Sequence, residues 1–342
     1  MPIIPFEYTS SQFVDTLSRH VGKGKEQARS LYRSLFRTGS FSSSLPEFSN
    51  APELYREMLE ILDTSLYPVA TTIKDTENLR FLLKTPDNHS IETVLIKMNH
   101  GYTICLSSQI GCRMGCSFCR TAKMGFIRNL TVSEIIQQLF IAKFVLKKEV
   151  KNVVFMGMGE PLDNYEALLQ AITIFSDQNG FAIGPRHITV STSGISSAIH
   201  RIASLPSFPA NLTLSLNAPN NTLRKKLMPS QGSESLQELH KAMQSYCLHR
   251  KKKVYVSYIL IKEENDSLSH ADELCSFLQG LKTRINLIPF NTHDKSQFEP
   301  SEPNKIEAFM QQIRSHGIRV LLRGEKGGSI QAACGQLAAA AS

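Results

Sequence analysis

The sequence predicts an α/β chain, a partial barrel of about six strand–helix units behind a small N-terminal helical segment. Three observations carry that prediction. Short apolar runs alternate with helix-like stretches from about residue 90 onward, the pattern of a parallel sheet covered by helices. The units are too few for a closed eight-stranded barrel. A chain of 342 residues has room for one large α/β domain and an accessory segment.

Taken in order, residues 1–88 read as a helical accessory domain, a packing or docking unit, and residues 89–342 as the barrel domain. Helix starts at Ser10–Val14 and Gly24–Ala28 are followed by an apolar stripe of Leu31, Leu35 and Phe36, then by a Ser- and Gly-rich loop over 37–44. The strand candidates are 92–97, 102–106, 152–156, 187–191, 211–216, 253–260, 284–288 and 319–322. Helix candidates at 132–146, 165–175, 233–248, 267–278 and 303–316 lie between them. Thr131-Val132-Ser133-Glu134 has the spacing of a capping box, in which hydroxyl and carboxylate satisfy the first free amides.

Composition narrows the class further. At 42% hydrophobic and 20% charged residues, the chain can bury an ordinary core without disulfides. No apolar run reaches about eighteen residues, so no membrane association is expected. The N-terminus lacks a signal-peptide pattern, so a cytoplasmic location is expected. Seven cysteines, three of them within eight residues, do not suit a secreted disulfide scaffold. The net charge of +8 is compatible with a polyanionic partner. Eight basic residues between Arg113 and Lys151, the run His249–Lys253 and the triplet Arg224–Lys226 are candidate phosphate contacts or solvated helix ends.

The chemistry concentrates in Cys112-Arg113-Met114-Gly115-Cys116-Ser117-Phe118-Cys119, on the loop between a strand and the capped helix. Thiolates at C-x3-C-x2-C spacing can bind three irons of a [4Fe–4S] cube and leave the fourth open to chelate a small molecule. Structural zinc is the alternative, but it requires a fourth ligand that the local sequence does not offer. Gly157-Met158-Gly159-Glu160 ends an apolar strand; glycines there permit close approach of a ligand, or simply a tight turn. Cys105 and Cys334 taken alone read as inert thiols, as do Cys247 and Cys275 in helix-like segments.

The cysteine spacing, with an aromatic before its last cysteine, resembles the radical S-adenosylmethionine (SAM) superfamily. Further motifs resemble one branch, the RlmN/Cfr family of radical SAM RNA adenine methyl synthases. They run in that family's order from about Glu92 to Leu337: Cys105–Gly111, Phe126–Thr131, Gly157–Pro161, Ser191–Gly194, Leu227–Pro229 and Ala332–Leu337. The resemblance implies a radical SAM barrel using a [4Fe–4S] cluster on Cys112, Cys116 and Cys119, with SAM as second cofactor. It assigns Gly159, Glu160, Ser191, Ser215, Leu216, Asn217 and Asn291 to SAM. It makes Cys334 the methyl carrier, Cys105 the thiol that releases product by forming a disulfide with Cys334, and Glu92 the proton acceptor.

The implied reaction is methylation of adenosine at C2 in 23S rRNA and in tRNA, resembling the RlmN type. Cfr-like C8 methylation, or another RNA target, is the alternative. A monomer served by an electron donor such as flavodoxin or ferredoxin is also implied. Two positions depart from the family pattern: Asn217 stands where His is common, and Ser329 where Asp is common. A radical SAM enzyme without the carrier step and a zinc-stabilised RNA-binding protein remain as competing classes.

Overall fold

The computed structural model describes residues 2–42, 44–230, 234–293, 296–324 and 335–337. The N-terminal segment folds as α1 (Ser10–Val21), α2 (Lys25–Thr38) and α3 (Pro52–Glu60). Thr9 caps α1 with Gln12 in a reciprocal box, and Gly39 ends α2 in the left-handed conformation. The helices stop there. β1 (Val69–Lys74) and β2 (Leu79–Lys84) join the main sheet, so only the first two thirds of the 1–88 segment is helical. β1 has an exposed face and lies at the sheet edge, which deprives it of the apolar alternation that marks a strand in sequence.

The chain then enters the sheet proper through β3 (Ser90–Met98) and β4 (Gly101–Leu106). A short hairpin, β5 (Gln109–Gly111) and β6 (Phe126–Asn129), brackets the cysteine loop ahead of α4 (Val132–Phe140). The remaining units are β7 (Val150–Phe155) with α5 (Tyr165–Ser176), β8 (Ile188–Thr192) with α6 (Ser196–Ser204), and β9 (Asn211–Ser215) with α7 (Asn221–Leu227) and α8 (Leu236–Arg250). After these come β10 (Val254–Leu260) with α9 (Leu268–Phe277), β11 (Thr283–Pro289) with α10 (Pro303–Ser315), and the short β12 (Val320–Leu322).

The ten-stranded sheet runs β1-β2-β3-β4-β7-β8-β9-β10-β11-β12. Its first four strands are antiparallel, and from β4 onward every pairing is parallel. Six strands from β4 to β11 each lead into a helix, the partial barrel expected from the sequence. All eight predicted strands are present. The capping box on α4 forms as predicted: Glu134 N–H donates to Thr131 Oγ1 at 3.2 Å, and Thr131 N–H to Glu134 Oε2 at 2.8 Å.

One apolar core joins the helical segment to the barrel. Phe36 is fully buried, with its ring 4.4 Å from Tyr32, 5.0 Å from Phe181 and 6.0 Å from Phe6 between centroids. Polar ties reinforce this docking: Ser10 N–H donates to Asp177 Oδ2 at 2.8 Å and Arg33 Nη2 to Asn179 Oδ1 at 3.1 Å. Phe36→Ala is expected to cost about 3–5 kcal/mol, read as a lowered midpoint in denaturant unfolding.

Candidate active site

The site forms where the parallel strands end. β3 pairs with β4 so that Val94 faces Cys105, which places Glu92, Val94 and Cys105 on one side of the sheet. That side is the barrel interior: Val94, Cys105, Met158 and Leu337 form a buried apolar cluster lined by Val154 and Met156. The opposite side, with Leu95, Ile104 and Leu106, belongs to the main core under the helices. Cys105 is thus buried at the mouth of the barrel.

Glu92 is fully buried, and Arg80 Nη1 approaches its Oε1 at 3.2 Å. Arg80 had no signal in the sequence, because the strand carrying it was not evident. Ser107 links three elements: its Oγ–H donates to Glu92 O at 2.6 Å, and its Oγ accepts from Met158 N–H at 3.0 Å. Gln138 on α4 holds the same residue, accepting from Ser107 N–H at 2.9 Å and donating to Ser107 O at 3.0 Å.

The cysteine loop hangs from the β5–β6 hairpin. Cys112 N–H donates to Gly125 O at 2.9 Å, and a Cβ on Gly111 would stand 1.8 Å from that oxygen, so only glycine fits there. Cys112, Cys116 and Cys119 are each partly exposed, with Cys116 and Cys119 backed by Phe118, Leu227, Met228 and Phe290. Burial pushes the Cys112 thiol up to about 12 and raises Cys116 too, with the neighbouring thiols adding to the effect. Among the described residues, no three His, Cys, Asp or Glu side chains gather tightly enough to hold a single metal ion. Ligands to a cube each take a separate iron, so three thiols spread along one loop and backed by an apolar wall fit that donor role.

The facing wall is the loop after β7. Gly157 and Gly159 pack so closely that added Cβ atoms would stand 2.6 Å from Leu106 O and 2.6 Å from Gln109 Cβ respectively. Glu160 is buried; its carboxylate accepts from Ser193 N–H at 2.7 Å and Leu162 N–H at 3.1 Å, and burial raises its pKa. Gln109 is the joint between this loop and the hairpin. Its Oε1 accepts from Glu160 N–H at 2.8 Å, and its Nε2 donates to Asn129 Oδ1 at 2.9 Å and Asp163 Oδ2 at 2.7 Å. Gln109 lies within the Cys105–Gly111 run, where nothing local singles it out as this joint.

Further along the mouth, Ser191 and Ser215 end β8 and β9 with their hydroxyls 3.0 Å apart. Asn291 follows β11 and is buried. Asn217 adopts φ +56°, a left-handed conformation that Asn tolerates better than most residues. Its Oδ1 accepts from Ile259 N–H at 3.0 Å, so this amide is committed to tying β9 to β10. Leu216 is equally committed: its N–H donates to Ser257 O at 3.0 Å and its side chain is buried.

Cys334 and Ser329 lie outside the described residues. The residues after Cys334 dock on the cysteine loop and on the segment after β11: Arg120 N–H donates to Gly335 O at 2.9 Å, Thr121 Oγ1 donates to Leu337 O, and Gln336 Nε2 donates to Thr292 O at 2.8 Å.

The basic runs do not form one face. Lys143–Lys148 and His249–Lys253 precede β7 and β10, and Lys151 lies at the start of β7, at the end of the barrel away from the cysteines. There Lys252 Nζ donates to Ala210 O at 3.0 Å, Arg250 Nη1 to Leu205 O at 2.6 Å, and Lys151 pairs with Glu149. Arg128 is held by Asp87 and Glu134, and Arg224 is buried rather than part of a solvated triplet. Cys275 is buried and Cys247 partly buried against the core, the packing roles expected of them.

Residues 106–275 match the Radical SAM superfamily. The chain is 45% identical over 336 residues, 98% of its own length and 94% of the relative's, to a protein of Protochlamydia amoebophila named probable dual-specificity RNA methyltransferase RlmN 1. The chain belongs to the RlmN family. A second relative, the dual-specificity RNA methyltransferase RlmN of Nitratiruptor, is 36% identical over 92% of each chain. The crystal structure of a radical SAM methyltransferase from Sphaerobacter thermophilus superposes with a TM-score of 0.91 at 34% identity, covering 99% of this chain and 100% of that one. As an RlmN-family protein, the chain is a radical SAM methyltransferase that uses a [4Fe–4S] cluster and SAM. No helix among the described residues is long and apolar enough to cross a membrane.

Proposed function

We propose that the enzyme methylates C2 of an adenosine in 23S rRNA and of an adenosine in tRNA, with Cys334 as methyl carrier and Cys105 as the thiol that releases the product. The observation that carries this is the seating of the C-terminal residues. Leu337 shares the buried interior cluster with Cys105, and Gly335, next to Cys334 in the chain, is bonded to the cysteine loop.

In this reading Cys112, Cys116 and Cys119 hold the cluster. Gly159 and Glu160 hold the methionyl end of SAM, where a buried carboxylate suits an ammonium. Ser191, Ser215 and Asn291 line the nucleoside side, while Leu216 and Asn217 fix the shelf through their backbone and amide bonds. When bound, the cluster and SAM supply the methyl group and the hydrogen-abstracting radical. Glu92, held by Arg80 on the interior face, takes the proton that leaves the adenine carbon. The reacting base must be unstacked to enter the barrel mouth, which favours an exposed loop of RNA. Reduced thiols and a reduced cluster suit the cytoplasm, with a flavodoxin or ferredoxin as electron donor and the chain acting as a monomer.

The test is an anaerobic reaction on unmodified 23S rRNA and tRNA with the product nucleosides resolved. The expected product from both RNAs is 2-methyladenosine. Formation of 8-methyladenosine would overturn the target carbon, and product from rRNA alone would overturn the tRNA assignment.

A further inference from the structure

Arg224 is the largest fully buried side chain in the described structure, 1% exposed, and no acidic side chain forms a salt bridge with it among the described residues. Burying a guanidinium without such a partner is costly unless its protons are otherwise satisfied. Its Nη2 donates to Ser193 O at 2.6 Å and its Nη1 to Leu216 O at 2.9 Å, while Nε has no hydrogen-bond partner. Those two carbonyls follow the ends of β8 and β9, within two residues of Ser191 and Ser215. The same side chain therefore clamps both halves of the serine shelf.

The helix carrying Arg224 also supports the cysteine loop. Ser117, between Cys116 and Cys119, donates its N–H to Leu227 O at 2.9 Å. Gly115 lies under Pro229, with a Cβ position 3.3 Å from Pro229 Cγ, and Ser230 Oγ donates to Arg113 O at 2.8 Å. Burial draws Arg224 down to about 10, which leaves it charged at neutral pH, and Cys116 and Glu160 are among the groups its charge acts on. A lysine could retain that charge but could not bridge two carbonyls in a fixed fork.

We propose that Arg224 is a positioning residue for both cofactors: its fork sets the spacing of the Ser191 and Ser215 shelf, and its fixed positive charge sits behind the cluster loop and favours the reduced cluster. This rests on the assignment of the shelf and of Glu160 to SAM. The two functions separate by substitution. Arg224→Lys keeps the charge and loses the fork; Arg224→Met loses both.

The experiment uses the full chain, anaerobically reconstituted, and reads iron content, the midpoint potential of the cluster by electron paramagnetic resonance titration, and the Kd for SAM. Arg224→Lys is expected to keep the wild-type potential and to weaken SAM binding about tenfold, the effect of losing a hydrogen bond from a charged donor. Arg224→Met is expected to weaken SAM binding as much and to shift the potential to a more negative value. Unchanged SAM affinity in Arg224→Lys overturns the fork, and an unchanged potential in Arg224→Met overturns the charge. Should Arg224→Met fail to fold, Arg224→Gln, which is neutral but keeps a planar donor, is read for the potential in its place. Glu160→Gln is measured alongside. Wild-type SAM affinity in that variant would mean that the site reading itself fails, whereas weak binding there with wild-type affinity in Arg224→Lys would mean that only the present inference fails.

Discussion

Cys105→Ala is expected to leave the protein covalently bound to its RNA after a single turnover. Cys105 lies on the interior face of β4 opposite Val94, in one apolar cluster with Met158 and with Leu337 of the C-terminal segment. Its place at the barrel mouth suits attack of the Cys105 thiolate on the sulfur of a Cys334–CH2–adenine thioether: the S–S bond forms as the S–CH2 bond breaks, and the departing carbon keeps the electron pair and takes up a proton to become the methyl group. Alanine is close in size and the surrounding Val94 and Met158 contacts persist, so the fold should survive. The adduct is measured by denaturing gel and mass spectrometry of nuclease-treated protein. Free methylated RNA at wild-type turnover, with no adduct, would remove Cys105 from the mechanism.

Cys116→Ala is expected to lower bound iron sharply and to reduce RNA methylation to background. Cys116 is backed by the Phe118, Leu227 and Phe290 wall, and its neighbour Ser117 is fixed to Leu227 O. Removing the thiol subtracts one of the three proposed cluster ligands while the Ser117 bond keeps the loop in place. The apo protein should therefore melt as the wild-type apo protein does, and the loss should appear in iron, sulfide and the visible absorbance of the reconstituted sample. Full iron content in this variant would contradict the ligand set.

Much of this was legible in the sequence, and the reasons for the rest are physical. The interior strands were evident because parallel strands buried on both faces are dense in Val, Ile and Leu, as in Val254–Leu260. The cysteine triad and Gly157–Glu160 stood out by spacing. β1 and the β5–β6 hairpin did not, since one is an exposed edge and the other is three or four residues per strand. The residues that hold the site rather than form it were not marked as such: Arg80 acts on the Glu92 carboxylate, Gln109, Gln138 and Arg224 act through contacts to backbone of other elements, and Arg224 had counted only as one member of a basic triplet. Charge counting misled in the same way. Arg250 and Lys252 read as a surface run, yet both donate to main-chain carbonyls at the closed end of the barrel.

In the proposed reaction, one cysteine of the chain carries the methyl group before it reaches RNA. The direct measurement is peptide mass spectrometry of protein reconstituted with its cluster and incubated with SAM under reducing, anaerobic conditions without RNA. A single methyl group is expected on Cys334, and none on Cys105, Cys247 or Cys275. An unmodified Cys334 in a preparation that goes on to methylate adenosine would contradict it.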